Sequence, residues 1–160
     1  MTRRTQLARQ YSLIDELMAS STQPLPESWR LHQLTRMWQG LAALETAQEP
    51  TTEDWRVCSD AVNLMETLVL EMKAASDQDG LLMDAVTALA KAGTRHKAGG
   101  HIRMDAQGIQ AIRAVLEDYA AVLSVLPART MIRCHRLTEK RISDILAGKR
   151  RPHDIEVINL

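Results

Sequence analysis

The chain has 160 residues, one domain's worth and enough to bury a core, and its 20 basic and 20 acidic residues cancel. Hydrophobic residues make up 45% of it but aromatics only 3%, and Phe is absent, so Leu, Ala, Val, Ile and eight Met must fill an interior of the kind that suits a helix bundle. No run approaches the ~18 apolar residues of a membrane span, the start MTRRTQLARQYSLIDELM lacks the apolar stretch of a signal peptide, and the two cysteines, Cys58 and Cys134, make no disulfide framework; the expectation is a reduced, cytoplasmic protein.

Residues 4–19 are predicted as a first helix, with Leu7, Tyr11, Ile14 and Leu17 (or Met18) on its apolar face. Arg3, Arg4 and Arg9 make either a basic arm for phosphates or a solvated first turn. Ser20–Pro26 is a linker closed by two prolines. A second helix over 27–47 carries Leu31, Leu34, Trp38, Leu41 and Leu44 as a seam, with Gly40 inside it as a point of close approach. A third begins after Glu49-Pro50, capped by Thr51 or Thr52, with acids at the positive end of its dipole. Its apolar face is Trp55, Cys58, Val62, Met65, Leu68 (or Val69) and Met72. Asp60, Asn63 and Glu66 on its flank read as a polar face or as acidic ligands, although Asp60 and Glu66 lie too far round the helix for a compact pair. A fourth helix over 77–92 turns Leu81, Leu82, Ala85, Val86 and Leu89 inward.

The run from Gly93 to Asp105 is the longest irregular piece expected in the body. Its glycines and its Arg95, His96, Lys97, His101 and Arg103 could cradle an anion, or the run is a plain surface loop. His96 and His101 lack a third ligand at standard metal spacing. "HIRMD" is read as a short extended segment. Asp105 caps a fifth helix reaching Leu126, whose wide stripe of Ile109, Ile112, Val115, Leu116, Tyr119, Val122, Leu123 and Leu126 marks it as the central buried helix. The tail "HDIEVINL" reads as extended or as a helix stub.

Between 128 and 152 the charge is concentrated. Eight basic residues (Arg129, Arg133, Arg136, Lys140, Arg141, Lys149, Arg150 and Arg151) face two acids, Glu139 and Asp144, so the rest of the chain carries an excess of six acids. A basic segment on an acidic body implies an anionic partner for the segment, or a solvated helix face. Thr138 is placed to cap a helix over 139–147, with Ile142, Ile145 and Leu146 on one face, Gly148 at a left-handed stop and Pro152 barring continuation. Met131 and Ile132 belong to a preceding helical piece. One straight helix would set His135 and Glu139 against the apolar stripe, so a break near Arg136–Leu137 is predicted.

With that break, LTEKRISDILAGKRRP resembles the second half of a helix-turn-helix of the Cro and lambda-repressor class, over about residues 131–152. Met131, Leu137, Ile142 and Ile145 match the positions that pack the two helices. The chain departs from the family at Ile132, where a small residue is favoured, at Arg136, where Gly is favoured in the turn, and in ending soon after Pro152. The resemblance implies DNA contacts from Thr138, Glu139, Lys140, Arg141 and Ser143 at the start of a recognition helix. Lys149, Arg150 and Arg151 would lie near the phosphates.

The architecture expected is therefore all-α, one bundle-like domain of five or six helices over 1–160 with the basic segment 128–152 at one end, and a homodimer is compatible with the seam. Two functions are carried forward: a DNA-binding transcriptional regulator, as the resemblance implies, and a helical protein–protein interaction module that regulates or inhibits another protein. No nucleophile–base pair or acid pair stands out. No enzyme activity, catalytic residue, cofactor, metal site or membrane partner is assigned.

Overall fold

The computed structural model describes residues 10–149. Six helices run in order: α1 (Leu13–Met18), α2 (Glu27–Thr46), α3 (Thr52–Glu66), α4 (Leu82–Lys97), α5 (Ala106–Val125) and α6 (Ala128–Leu146), with one π-helical turn, Thr67–Glu71, continuing α3. No strand occurs among the described residues; "HIRMD" is neither helix nor paired strand, and Ile102 within it is buried. The all-α architecture is the one the composition and periodicity predict.

Local chemistry starts the helices where a free amide needs a partner. The Thr51 hydroxyl accepts from the Asp54 N–H while the Asp54 carboxylate accepts from the Thr51 N–H, a closed capping box. Ser12 and Asp15 repeat the device at α1. Asp105 caps α5 through the Gly108 N–H at 2.7 Å. The amides opening α6 are met from another part of the chain. Ala128 N–H donates to the Gln23 carbonyl at 2.7 Å, and Arg129 N–H to the Ser20 carbonyl at 2.9 Å. The Ser20–Pro26 linker thus caps α6 and fixes α1 alongside it.

The centre of the bundle is α3, not α5. From Cys58 to Leu68 every residue except Asp60 is buried, and α3 packs against α2, α4, α5 and α6. Periodicity missed this because a helix surrounded by neighbours has polar residues inside as well: Ser59, Asn63, Glu66 and Thr67 are all buried. Along α5 the expected positions Ile109, Ile112, Val115, Leu116, Tyr119 and Leu123 are buried. Trp55 donates its indole N–H to the Leu89 carbonyl at 3.0 Å, so the largest core side chain carries no unpaired donor.

Several boundaries differ from those predicted. The first helix, predicted over 4–19, begins at Leu13 with Ser12 as its cap; residues 10–12 are not helical, and residues 4–9 lie outside the described part. The face of Ile14 and Leu17 points outward instead of into a core. The α2 seam turns, so that Leu31 is exposed, Leu34 and Trp38 are half-buried, and Met37, Gly40, Leu41 and Leu44 form the buried face. Gly40 is a contact point: a Cβ there would strike Val57 and lie 2.9 Å from the Asp54 carbonyl. Helix α4 starts later than predicted because Asp77 accepts from the Leu81 and Leu82 amides, and it runs on through Gly93 to Lys97, taking the first five residues of the expected loop.

Two substitutions test this packing. Leu116, fully buried, should cost about 2–5 kcal/mol when changed to Ala. Gly40→Ala should cost about 1–3 kcal/mol through overpacking against a backbone carbonyl that cannot yield. Urea unfolding of each variant reads both losses.

Candidate functional site

The predicted break in the basic segment is absent. Ala128–Leu146 is one continuous α-helix. The stop is where expected, with Gly148 at φ +69° and the Lys149 N–H returning to the Asp144 carbonyl. The conflict that argued for a break is resolved otherwise. His135 is accepted into the interior, 5% exposed, with the rings of Tyr11 and Trp29 edge-on to it at 5.2 and 6.2 Å. Burial holds its pKa down at about 4, so the ring is neutral at ordinary pH and a buried charge is avoided.

The residues that the helix-turn-helix resemblance placed against DNA divide between two faces. Thr138 is no cap; it lies mid-helix and fully buried. Its hydroxyl donates to the Cys134 carbonyl at 2.8 Å, and the Thr67 hydroxyl lies 2.6 Å away on the other side. The Thr67 hydroxyl also lies 3.3 Å from the Asn63 backbone carbonyl, so the two hydroxyl protons are shared among three contacts. Arg141 is 1% exposed. Its guanidinium pairs with the Glu66 carboxylate, donates to the Asn63 carbonyl at 3.1 Å and comes within 3.8 Å of Glu71. A base-reading role for Thr138 or Arg141 in this conformation is excluded by position. Lys140, Ser143 and Lys149 do face solvent, Lys140 in an ion pair with Asp144 at 2.6 Å. Glu139 is half-buried. Arg150 and Arg151 lie outside the described residues.

The π turn explains how two acids reach one arginine. Residues five apart on an α-helix point about 140° away from each other, which would aim Glu71 elsewhere. Widening to i→i+5 bonding over Thr67–Glu71, with the Met72 N–H on the Thr67 carbonyl at 2.9 Å, brings Glu71 toward the side of Glu66. Of the three flank side chains read as acidic ligands, only Glu66 serves Arg141; Asn63 contributes its backbone carbonyl, and Asp60 stands apart. No group of three potential metal-binding side chains occurs among the described residues.

Three surfaces remain. On α6, Arg129, Arg133, Arg136 and Lys140 follow one another at helical spacing along the outward side. Beside them lies α1, bound by the ion pair of Glu16 with Arg136 and by Arg129 donating to the Leu17 carbonyl at 3.0 Å. Its apolar residues are not covered: Leu13 is 54% exposed, Ile14 71%, Leu17 61% and Met18 82%. A stripe of exposed cations thus borders an exposed apolar ridge. The Gly93–Asp105 region offers less to an anion, because Arg95 turns inward on the loop itself and donates to the His101 and Arg103 carbonyls.

The third surface is a cleft of about 110 Å³ between α2, α3, α5 and α6, walled by Gln33, Arg36, Asp60, Tyr119 and His135, with the exposed Gln10 at its edge. Burial raises the Asp60 pKa to about 7 against the opposing pull of Arg56 and Arg36. Both arginines are drawn to Glu53. Neither His135 ring nitrogen has a hydrogen-bond partner among the described residues. Sequence reading missed His135 as part of a site; its only signal was a polar residue on an apolar stripe. The thiols of Cys58 and Cys134 are buried and pushed up to about 12 by burial, which leaves them unreactive.

No family model, curated protein or solved structure matches this chain.

Two predictions follow from these placements. Arg141→Ala should destabilise the fold by about 3–5 kcal/mol, the range for stripping one partner from a buried pair. Lys140→Ala, one position away but on a solvent-exposed pair, should stay within about 0.5 kcal/mol. Urea unfolding separates them.

Asp60 and His135 should pull stability in opposite directions with pH. A depressed histidine stabilises fully above its ordinary value near 6.5 and loses that contribution as pH falls through about 4. A raised carboxyl stabilises fully below its ordinary value near 3.8 and loses it as pH rises through about 7. The two slopes oppose each other in the native chain. Relative to wild type, Asp60→Asn should therefore gain stability with rising pH between about 4 and 6.5, and His135→Leu should lose it. Unfolding free energies across that range check the sign of each.

Proposed function

We propose that this chain is a non-catalytic helical module that binds another protein through the α1 ridge and the adjoining α6 stripe. The observation carrying the reading is the exposure of Leu13, Ile14, Leu17 and Met18 together on one six-residue helix. A contiguous apolar patch exposed on a folded domain marks an interaction surface more often than a solvated face. Each such side chain offers about 1.5–3 kcal/mol on full burial. The cations beside it set the partner's chemistry: an apolar surface rimmed by acidic residues, which Arg129, Arg133 and Lys140 would steer and orient. The chain would act by occupying that surface, as a regulator or inhibitor does.

DNA binding is the competing reading, supported by the same exposed cations together with Ser143 and Lys149. With Thr138 and Arg141 buried, it reduces to phosphate contacts along α6, which carry no sequence information.

The two readings separate on two variants. Ile14→Asp with Met18→Asp should abolish retention of an acidic partner from nuclease-treated extract of the native source, while Arg133→Ala with Lys140→Ala should only weaken it and lower its salt dependence. Cross-linking from position 18 should reach the same protein. Sinking the proposal would take tight duplex-DNA binding that falls steeply with salt, is lost in the Arg133 and Lys140 variant and is untouched by the α1 variant. A concentration-dependent dimer that the α1 variant dissolves would assign the ridge to a second copy of the chain.

A further inference from the structure

The cleft between α2, α3, α5 and α6 has no part in the docking face, and its polar groups are arranged as a site. His135 lines it while 5% exposed, and neither ring nitrogen has a hydrogen-bond partner among the described residues. Burying a polar ring in that state is costly unless something in the cleft completes it. A neutral imidazole presents one N–H donor and one lone-pair acceptor, so an acceptor placed in the cleft meets its N–H. Asp60, on the wall formed by α3, adds an acceptor that favours a donor from the ligand.

Charge fixes the class further. Among the described residues, the ionisable groups around the cleft are Arg36 from α2, Glu53, Arg56 and Asp60 from α3, Tyr119 from α5 and His135 from α6, with Tyr11 edge-on to His135. Arg36 and Arg56 share Glu53, and an ionised Asp60 brings that cluster to zero. Tyr119 is held protonated, its pKa raised by burial first. With Asp60 ionised, the charges of the described residues around the cleft balance, which favours an uncharged ligand. The volume, about 110 Å³, is room for roughly three or four waters, or for a group of a few heavy atoms.

We propose that this cleft binds a small uncharged group carrying an N–H donor next to a carbonyl acceptor, a carboxamide, with the N–H directed to Asp60 and the acceptor served by His135. Such a group is supplied by a free small amide or by a glutamine or asparagine side chain of a bound peptide.

The test follows the ring nitrogens of His135 by NMR in the intact chain labelled with nitrogen-15 at histidine. The probes are acetamide, methylammonium and the capped peptide acetyl-Gly-Gln-Gly-amide. Acetamide should shift the His135 signals saturably. Its affinity should rise from about pH 6 to about pH 8 as Asp60 ionises, a readout on the unaltered protein. Asp60→Asn should weaken binding about tenfold, as for one lost hydrogen bond to a charged group, and should abolish the pH dependence. Response to the peptide as well as to acetamide assigns the source to a partner's side chain; response to acetamide alone assigns it to a free ligand. The proposal is overturned if His135 shows no saturable shift, in which case the cleft holds water alone. Tighter binding of methylammonium than of acetamide overturns the assigned class. Equal binding by Asp60→Asn overturns the site.

Discussion

The arrangement on which the rest depends is the arginine inside the bundle. Arg141 on α6 meets Glu66 and the Asn63 carbonyl on α3, with Glu71 near its Nε. Removing a guanidinium from water costs several kcal/mol, so α6 can lie here only where carboxylate and carbonyl replace that hydration. This sets the helix's rotation about its axis. With Arg141 turned inward, Thr138 and Cys134, three and seven residues earlier, also face α3, while Arg129, Arg133 and Lys140 turn to solvent and Arg136 to α1. The basic stripe on the outside is thus a geometric consequence of one cation on the inside.

The π turn belongs to the same arrangement. Regular α-geometry through Thr67–Glu71 would carry Glu71 away from α6; the wider turn keeps it near Arg141. The chain then leaves the helix through Lys73 at φ +54°, an uncommon conformation for a residue with a side chain. A local departure from regular helix and a buried charge are therefore coupled. Side chains of α6, α3 and the turn meet at Thr67, Thr138 and Arg141, and polar complementarity there fixes the register more narrowly than apolar packing alone would.

Helix α1 is joined to this core by different means. It contributes no buried residue. It is held by backbone bonds from the start of α6 to the linker, by Arg136 on Glu16, and by Tyr11 against His135. Its apolar side chains are consequently left for other uses, which is why the docking face and the basic stripe adjoin. The cleft opens near the same region, with Gln10, just before α1, on its edge and His135 in its wall. Two candidate surfaces thus share one helix, α6, whose inner and outer sides present different chemistry.

Much of this was legible in the residues. The caps Thr51 and Asp105, the stop at Gly148, the close approach at Gly40 and the apolar stripe of α5 each follow from local steric or hydrogen-bonding rules that a few neighbouring side chains satisfy on their own. The all-α class follows from their sum. What the residues left open was which side of each helix faces inward where polar and apolar patterns conflict. A lone basic residue such as Arg141 reads as a solvent or DNA contact until a carboxylate 75 positions earlier is known to meet it. His135 reads as the reason for a break in the helix until Tyr11 and Trp29 pack against it, and Ile14 and Leu17 read as core until α1 is found with their side chains exposed. Tertiary structure decided these because the cost of burying a polar group, or the gain from burying an apolar one, depends on partners brought close in space from far along the chain.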